Sequence, residues 1–477
     1  HQQVWQILPL GPVDKYGSPY ATTSAFAGNP LLISPQRLAD DGLVSLADLE
    51  AAACTVDDPS SPVDFAAVIK AKSTLFESAF ARFMRLPDEH PARKGFSAFC
   101  HCQGEWLDNH AMFMALSDVN GTLQWSGWTQ YVGSGKRPSQ DAAVLLKART
   151  GFHKFLQYTF FQQWTSLRDY ARSHAIAIVG DLPIYVAPDS SDVWANQSLF
   201  VLDESGQPLE VAGVPPDYFS ETGQLWGNPI YDWEAMKLHG YDWWRKRFQA
   251  VLELVDLVRV DHFRGIQAYW SVPGGDDTAQ NGRWVRGPGA GLLDALVATR
   301  GAVKPRSDWD GALPVIAEDL GLITPPVDEL REQYGLPGMA VLQFAFGADE
   351  RFRPENIHPN TVAYTGTHDN DTTHGWFSVF AQDEPGSLVQ MRKYIHGDPD
   401  HIAWELIELA WGTAARIAIA PIQDVLSLGS GARMNTPGAP TGNWSWRYGP
   451  DALTQELQQR LACVTRTSGR ASMGSYQ

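Results

Sequence analysis

The amino-acid sequence predicts an α/β fold, a TIM-type (β/α)8 barrel that carries helical and loop insertions. Three observations support this prediction. Seven short, almost continuously apolar runs recur along the 477 residues, helical stretches such as 152–174 and 233–255 lie between them, and polar or acidic clusters end each run. Strands that are buried on both faces and alternate with helices are typical of a parallel sheet.

The apolar runs have the length of strands rather than helices. They are 4–10, 175–179, 254–260, 314–317, 339–344, 361–364 and 415–420. An eight-stranded barrel needs one more strand, and we expect that strand to precede Val4, so that the first βα unit is missing from this chain. A doubly wound open sheet is the alternative, but no Gly-x-Gly-x-x-Gly pattern follows any of the runs.

Long excursions between the predicted strands divide the chain into a barrel and its insertions. Residues 32–150 alternate Ala/Leu/Phe-rich patches with polar loops and far exceed the usual length of a βα loop, which predicts a helical subdomain. We therefore assign 1–31 to the start of the barrel and 151–477 to its remainder. Within this remainder, the aperiodic, Gly- and Pro-rich segments 186–232 and 271–312 are predicted to be loop insertions.

Composition excludes several classes of function. The net charge is −17, from 37 basic and 54 acidic residues, which argues against a nucleic-acid partner and against binding to an anionic membrane. Four cysteines do not make a disulfide scaffold in a chain of this length, which indicates a cytoplasmic protein with reduced thiols. Cys100-His101-Cys102 is not followed by a second cysteine pair, so we expect no metal site.

Three acidic residues each lie just beyond a predicted strand: Asp261, Glu318 and Asp369. Since the carboxyl ends of barrel strands meet on one face, these side chains are expected to share a cleft; solvated helix caps are the alternative. Paired carboxylates are suited to glycosyl transfer, in which one donates a proton and the other attacks or stabilises the anomeric carbon. Arg259 is two residues before Asp261 on the same face of its strand and would keep that carboxylate ionised.

Several stretches, spread over nearly the whole chain, resemble in sequence and in order those of the 4-α-glucanotransferases (amylomaltase or disproportionating enzyme). These enzymes form glycoside hydrolase family 77 of the α-amylase superfamily. The matching stretches are Trp-Gln-Ile-Leu-Pro-Leu-Gly-Pro at 5–12, Ser-Pro-Tyr at 18–20, Ser-Ala-Phe-Ala-Gly-Asn-Pro at 24–30, Gly-Asp-Leu-Pro-Ile-Tyr-Val at 180–186, Gly-Val-Pro-Pro-Asp-Tyr-Phe-Ser-Glu-Thr-Gly-Gln-Leu-Trp-Gly-Asn-Pro at 213–229, Arg-Val-Asp-His-Phe-Arg-Gly at 259–265, Ala-Glu-Asp-Leu-Gly at 317–321, Gly-Thr-His-Asp-Asn at 366–370 and Arg-Met-Asn-Thr-Pro-Gly at 433–438. In this family a strand and a helix normally precede the 5–12 motif, which agrees with the missing first unit.

The resemblance implies a 4-α-glucanotransferase. Such an enzyme moves a segment of an α-1,4-glucan to the 4-hydroxyl of glucose or another glucan by a retaining double displacement, without a cofactor. It implies Asp261 as the nucleophile, Glu318 as the acid/base and Asp369 as the transition-state stabiliser. The residues implied to bind the sugar, with Tyr218 and Phe219 on a loop over the acceptor, are Ser18, Tyr20, Asp181, Asp217, Tyr218, Phe219, Gln224, Trp226, Arg259, His368 and Asn435. An amylase-like hydrolase and an inactive glucan-binding fragment are the alternatives.

Overall fold

The computed structural model describes residues 2–52, 58–128, 140–216, 220–299, 309, 311–347, 349–383, 385–439 and 441–471. The strands in this part of the chain are β1 (Val4–Gln6), β2 (Ala177–Leu182), β3 (Glu210–Val214), β4 (Gln224–Pro229), β5 (Leu257–Val260), β6 (Ala268–Pro273), β7 (Arg283–Arg286), β8 (Val315–Ala317), β9 (Gly338–Val341), β10 (Thr361–Tyr364) and β11 (Ile417–Ile419). Each of the seven apolar runs overlaps one of them, although β2 continues past its run to Leu182 and β9 begins one residue before its run.

Seven of these strands run parallel and follow one another in chain order, as in a barrel. One set pairs in the order β1-β2-β5-β8 and the other in the order β9-β10-β11. The amide of Ala317 donates to the carbonyl of Pro337, just ahead of β9, at 2.9 Å and joins the two sets. The hydroxyl of Tyr364 in β10 reaches Oε1 of Gln6 in β1 at 2.8 Å. The prediction of a parallel, barrel-type α/β fold is therefore confirmed.

Apolar side chains from all seven parallel strands meet in one cluster inside the barrel. Its strand members are Val4, Val179, Leu257, Ile316, Met339, Val341, Val362, Tyr364, Ile417 and Ile419. Because side chains alternate between the two faces of a strand, those on the other face pack against the helices outside. Strands buried on both sides must be apolar along their length, which explains why the runs were visible in the sequence.

Helices surround the barrel and fill the long N-terminal excursion. They are α1 (Pro35–Asp40), α2 (Leu46–Ala52), α3 (Phe65–Phe83), α4 (Pro91–Cys102), α5 (Gly104–Asn120), α6 (Gln140–Ser173), α7 (Ser191–Ala195), α8 (Trp233–Leu238), α9 (Asp242–Leu254), α10 (Arg264–Gln267), α11 (Ala290–Thr299), α12 (Pro325–Gln333), α13 (Thr373–Asp383), α14 (Pro385–Met391), α15 (Ile402–Gly412), α16 (Ile422–Val425) and α17 (Gln455–Thr467). None of the helices described is both long enough and apolar enough to span a bilayer.

The stretch 233–255, which we expected to be one helix, is two. Gly240 and Tyr241 have φ angles of 62° and 55°, in the left-handed region, and they separate α8 from α9. A left-handed residue cannot continue a right-handed helix, so the chain turns there. Periodicity alone did not reveal this break, although Gly240 is the kind of residue that marks it.

The two segments predicted to be loop insertions contribute to a second sheet that the sequence analysis missed. This sheet is antiparallel, with the order β4-β3-β6-β7. A register shift between Val211 and Gly213 interrupts the pairing of β3 with β4. Such a bulge, together with the many Gly and Pro residues, obscures the alternation by which a half-buried strand is normally recognised. The sheet places β4 beside the carboxyl end of β5, where the acidic residues lie.

Candidate active site

Two acids and one arginine form a buried ion cluster where β2 and β5 end. Asp181 in β2 and Arg259 in β5 are direct partners in the ladder. Nη1 of Arg259 lies 2.9 and 2.8 Å from the two carboxyl oxygens of Asp181, and its Nη2 lies 2.8 Å from Oδ1 of Asp261. Arg259 is 3% exposed, so both charged contacts act in surroundings of low dielectric constant. One guanidinium therefore orients Asp261.

Glu318 directly follows β8, and backbone amides hold both of its carboxyl oxygens. The N–H of His262 donates to Oε2 at 2.7 Å, and the N–H of Leu320 donates to Oε1 at 2.8 Å. Because His262 is the residue after Asp261, the first of these hydrogen bonds places the Glu318 carboxyl beside the loop that carries Asp261. The two acids thus lie at neighbouring strand ends and share one turn of the chain.

Burial and the neighbouring charges set the protonation of these acids. Burial, and after it the negative charge of Asp261, raises the pKa of Glu318 to about 7. Burial also raises the pKa of Asp261, but Arg259 opposes this rise. Burial lowers the pKa of Arg259, whereas Asp181 and Asp261 raise it well above its usual value, so Arg259 remains a cation. Near neutral pH Glu318 is therefore protonated in a large fraction of molecules, while the guanidinium of Arg259 favours the ionised form of Asp261.

Asp369 lies in the loop after β10, and a distant loop fixes its position. Oδ1 of Asn370 accepts hydrogen bonds from the amide and hydroxyl of Thr367, at 2.9 and 2.8 Å, and forms a tight turn around Asp369. Nδ2 of Asn435 donates to Oδ1 of Asp369 at 2.6 Å. Nη2 of Arg433 donates to the backbone carbonyl of Asp369 at 2.7 Å. The Asp369 side chain is still 42% exposed and so accessible to a bound molecule.

The hydroxyl of Tyr20 connects the ion cluster with the Asp369 loop. It donates to Oδ2 of Asp181 at 2.6 Å and lies 2.9 Å from Nε2 of His368. The single hydroxyl proton is directed at Asp181, so the oxygen is free to accept a hydrogen bond from Nε2 of His368. The same nitrogen lies 3.4 Å from Oδ2 of Asp369. Burial, followed by Asp181, raises the pKa of Tyr20 well above its usual value, which keeps the phenol neutral.

Aromatic rings line two sides of this network. The Tyr20 and His368 rings stack at 5.4 Å, and the Trp444 ring lies 5.5 and 5.9 Å from them. On the other side, the Trp226 ring meets His262 edge-on at 4.9 Å. Nε1 of Trp226 donates to Oε1 of Gln224 at 3.2 Å, two residues earlier on the same face of β4. Flat apolar faces beside fixed polar groups are the surfaces that bind sugar rings.

The structure brings most of the predicted site residues together. Those in the connected network are Tyr20, Asp181, Arg259, Asp261, Glu318, His368, Asp369 and Asn435, with Gln224 and Trp226 beside it through His262. Ser18 lies at the edge, where its hydroxyl accepts from the amide of Tyr20 at 3.3 Å. The predicted residues Asp217, Tyr218 and Phe219 lie outside the described part of the chain.

Two residues of the site were missed by sequence reasoning. Trp444 belongs to an aperiodic, Trp-rich stretch at 443–448 that resembles the surroundings of Trp226, and that likeness could have drawn attention to it. Arg433 acts through a backbone carbonyl 64 residues earlier in the chain, for which the sequence has no local signal. No group of three or more His, Cys, Asp or Glu side chains in the described ranges is arranged to hold a metal ion.

The arrangement is suited to chemistry at an acetal carbon. Asp261 is a carboxyl group oriented by a guanidinium, Glu318 has a pKa of about 7, and the exposed carboxyl of Asp369 lies beside His368. Retaining glycosyl transfer needs such a nucleophile and acid/base on neighbouring supports.

Comparison with known proteins points to one family. The family model described as 4-alpha-glucanotransferase matches residues 1–453. The 4-alpha-glucanotransferase of Synechocystis is 45% identical to the chain over 98% of it and 91% of the relative. That of Thermus thermophilus is 43% identical, with the same two coverages. The solved amylomaltase of Streptococcus agalactiae in complex with acarbose is 34% identical and superposes with a TM-score of 0.89, over 99% of this chain and 92% of that one.

Proposed function

This chain belongs to the 4-alpha-glucanotransferase family, and from that premise we propose that it transfers glucan segments through Asp261, Glu318 and Asp369. The enzyme is a transferase that acts on α-1,4-glucans. The observation that supports the assignment of residues is the turn at 261–262, which carries one acid and fixes the other by the 2.7 Å hydrogen bond from His262 to Glu318.

In the first step, a carboxylate oxygen of Asp261 attacks the anomeric carbon of the donor glucan. The bond from this carbon to the glycosidic oxygen breaks, and Glu318 gives its proton to that oxygen. The products are a glycosyl ester on Asp261, an ionised Glu318 and a shortened glucan that leaves. Asp369 and His368 stabilise the positive charge that develops on the ring and bind its hydroxyls.

In the second step, Glu318 accepts the proton of the 4-hydroxyl of an incoming glucose or glucan. That oxygen attacks the anomeric carbon, the ester bond breaks, and Asp261 is an ionised carboxylate again. Each step inverts the anomeric carbon, so the new linkage keeps the α configuration. We propose maltooligosaccharides as donors and glucose or maltooligosaccharides as acceptors, with Trp226 as an aromatic face for the sugar that leaves and the sugar that enters.

Incubation with maltotriose tests this proposal. The expected products are glucose together with maltooligosaccharides longer than maltotriose. Asp261→Asn should lower this transfer by several orders of magnitude while leaving maltooligosaccharide binding measurable by calorimetry. Asp256→Asn is the matched control, because Asp256 lies just before β5, at its other end, and should leave transfer close to wild type. Products shorter than maltotriose alone would mean a hydrolase, and an active Asp261→Asn would refute the assignment.

We also propose that the enzyme works in the cytoplasm. Three cysteines described by the structure, Cys100, Cys102 and Cys463, are free thiols, and thiols remain reduced in that compartment. Fractionation of source cells with an antibody against the enzyme tests the location; recovery in the secreted fraction would refute it.

A further inference from the structure

His262 has a backbone conformation that is costly for a residue with a side chain. Its φ angle is 52°, in the left-handed region. Residues with a side chain are uncommon there, because Cβ approaches the backbone too closely, although Asn, Asp and His occur there more often than the others. His262 stands directly between Asp261 and Phe263, at the point where the chain leaves β5. Strain of this kind persists only where the surrounding structure imposes it, and it is concentrated at functional sites.

Hydrogen bonds connect the turn at His262 to Glu318. The amide of His262 donates to Oε2 of Glu318 at 2.7 Å, and the next amide, that of Phe263, donates to the Glu318 backbone carbonyl at 3.1 Å. The amide of Gly265 closes the turn on the carbonyl of His262 at 2.9 Å. Two successive amides thus donate hydrogen bonds to the side chain and to the main chain of Glu318. A change of φ at His262 would rotate the first of these donors away from Oε2.

Packing rather than hydrogen bonding holds the His262 ring in place. The ring lies edge-on against Trp226 at 4.9 Å between centroids. The ring also packs against Gly265: a Cβ atom added to this glycine would lie 3.0 Å from Cδ2 of His262. Nε2 is buried and has no hydrogen-bond partner within the described part of the chain. Burial lowers the pKa of the ring to about 4, so it is neutral near pH 7.

We propose that His262 is a positioning residue for Glu318, the acid/base. The His262 ring packs against Trp226 and Gly265, and this packing maintains the left-handed backbone from which the His262 amide donates to Oε2 of Glu318. The proposal rests on the acid/base role proposed above for Glu318. Because Leu320 holds Oε1 in the same way, the two amides fix the plane of the carboxyl group. The carboxyl group that gives the proton away is then held in one orientation.

The charged groups around Glu318 decide what loosening this hydrogen bond would do. Asp261 after β5 and Asp319 after β8 raise the pKa of Glu318, after the effect of burial, whereas Arg259 in β5 and the Leu320 amide lower it. An amide that donates to a carboxylate favours its ionised form. Loss of the His262 amide should therefore raise the pKa of Glu318 further and misalign its proton at the same time.

The test compares two donors that differ in their need for an acid. Maltotriose requires Glu318 to protonate the departing oxygen, whereas fluoride leaves α-maltosyl fluoride without a proton. His262→Ala removes the ring and leaves a residue that has no preference for the left-handed region. We expect it to lower kcat/KM for maltotriose by at least about tenfold, the lower part of what a general acid contributes. The initial burst of fluoride release should stay within about threefold of wild type, and the basic limb of the maltotriose pH profile should move to higher pH.

Controls separate this inference from loss of fold and from failure of the proposed function. His110→Ala removes another buried histidine with an unpartnered ring nitrogen, far from the site, and should not alter the ratio between the two donors. His262→Phe keeps a ring and lacks the nitrogens, so it should recover most of the maltotriose activity; if His262→Ala does not fold, this variant alone is compared with wild type. Equal losses on both donors, or a His262→Phe as impaired as His262→Ala, would overturn the proposal. Full maltotriose activity in Glu318→Gln would instead overturn the role of Glu318 itself.

Discussion

Replacing Arg259 with lysine tests how the site keeps Asp261, the proposed nucleophile, ionised. Lysine keeps the positive charge but offers a single ammonium instead of a planar fork. In the structure, Nη1 of Arg259 contacts Asp181 and Nη2 of Arg259 contacts Asp261, at distances of 2.8–2.9 Å. The single ammonium group of a lysine, on a shorter side chain, cannot contact both acids in this geometry. We expect it to stay with Asp181, the more deeply buried acid, and to release Asp261.

The size of the effect follows from the contact that is lost. A hydrogen bond to a charged group contributes about 1.5–3 kcal/mol. At 1.36 kcal/mol for each factor of ten, this corresponds to a decrease of roughly 10- to 150-fold in kcat/KM. The direction of the pH effect is also fixed. Arg259 lowers the pKa of Asp261, and Asp261 must be ionised to attack, so Arg259→Lys should move the acidic limb of the profile to higher pH.

The assay is the initial rate of maltotriose disproportionation from pH 4 to 9, together with thermal unfolding. Arg172→Lys is the matched control, because Arg172 makes a two-contact pair with Asp256, just before the other end of β5, at 2.9 and 2.8 Å. It should leave both limbs unchanged. A kcat/KM for Arg259→Lys within threefold of wild type, with an unmoved acidic limb, would refute the reasoning.

Three further outcomes are expected. The basic limb of kcat/KM for maltotriose should fall near pH 7, because Glu318, whose pKa is about 7, must be protonated to donate; a profile flat to pH 9 would contradict this. Asn435→Ala should lower kcat roughly ten- to 100-fold in the same assay, since Asp369 loses its 2.6 Å donor, while an unchanged kcat would exclude this role. Ile316→Ala, at a position with 0% exposure inside the barrel, should cost about 2–5 kcal/mol in urea unfolding; a loss below about 1 kcal/mol would mean that the interior is not close-packed.

The parallel strands and the acids at their ends could be predicted because both are local features. A strand that is buried on both faces needs an apolar run, and each run overlaps one strand, although β1 covers only Val4–Gln6 of its run and β2 extends past its run to Leu182. The carboxyl ends of parallel strands share one face, so acids that follow different strands converge without any further information. By that reasoning the sequence alone predicts that Asp261, Glu318 and Asp369 lie together.

Features that depend on distant parts of the chain could not be predicted in the same way. The antiparallel sheet forms from strands whose alternation is interrupted, and only their pairing reveals them. Arg433 and Trp444 join the site through the fold of a loop with no periodicity. The left-handed conformation of His262 has no sequence signal, because even histidine, which is enriched in this region, adopts it at few positions. Tertiary contacts that override local preference produced each of these cases.

The position of Arg259 beside Asp261 and Glu318 explains how a single site can catalyse both steps of the proposed reaction. While Asp261 is ionised, its charge adds to burial and raises the pKa of Glu318 to about 7, which makes Glu318 the donor that the first step needs. Once Asp261 is part of an ester, that charge is gone and Arg259 has one carboxylate fewer to neutralise. The pKa of Glu318 then falls, and the ionised form that the second step needs is favoured until the ester breaks. The protonation of Glu318 is thus set by the covalent state of its neighbour, and the amides of His262 and Leu320 keep its oxygens in place through both states.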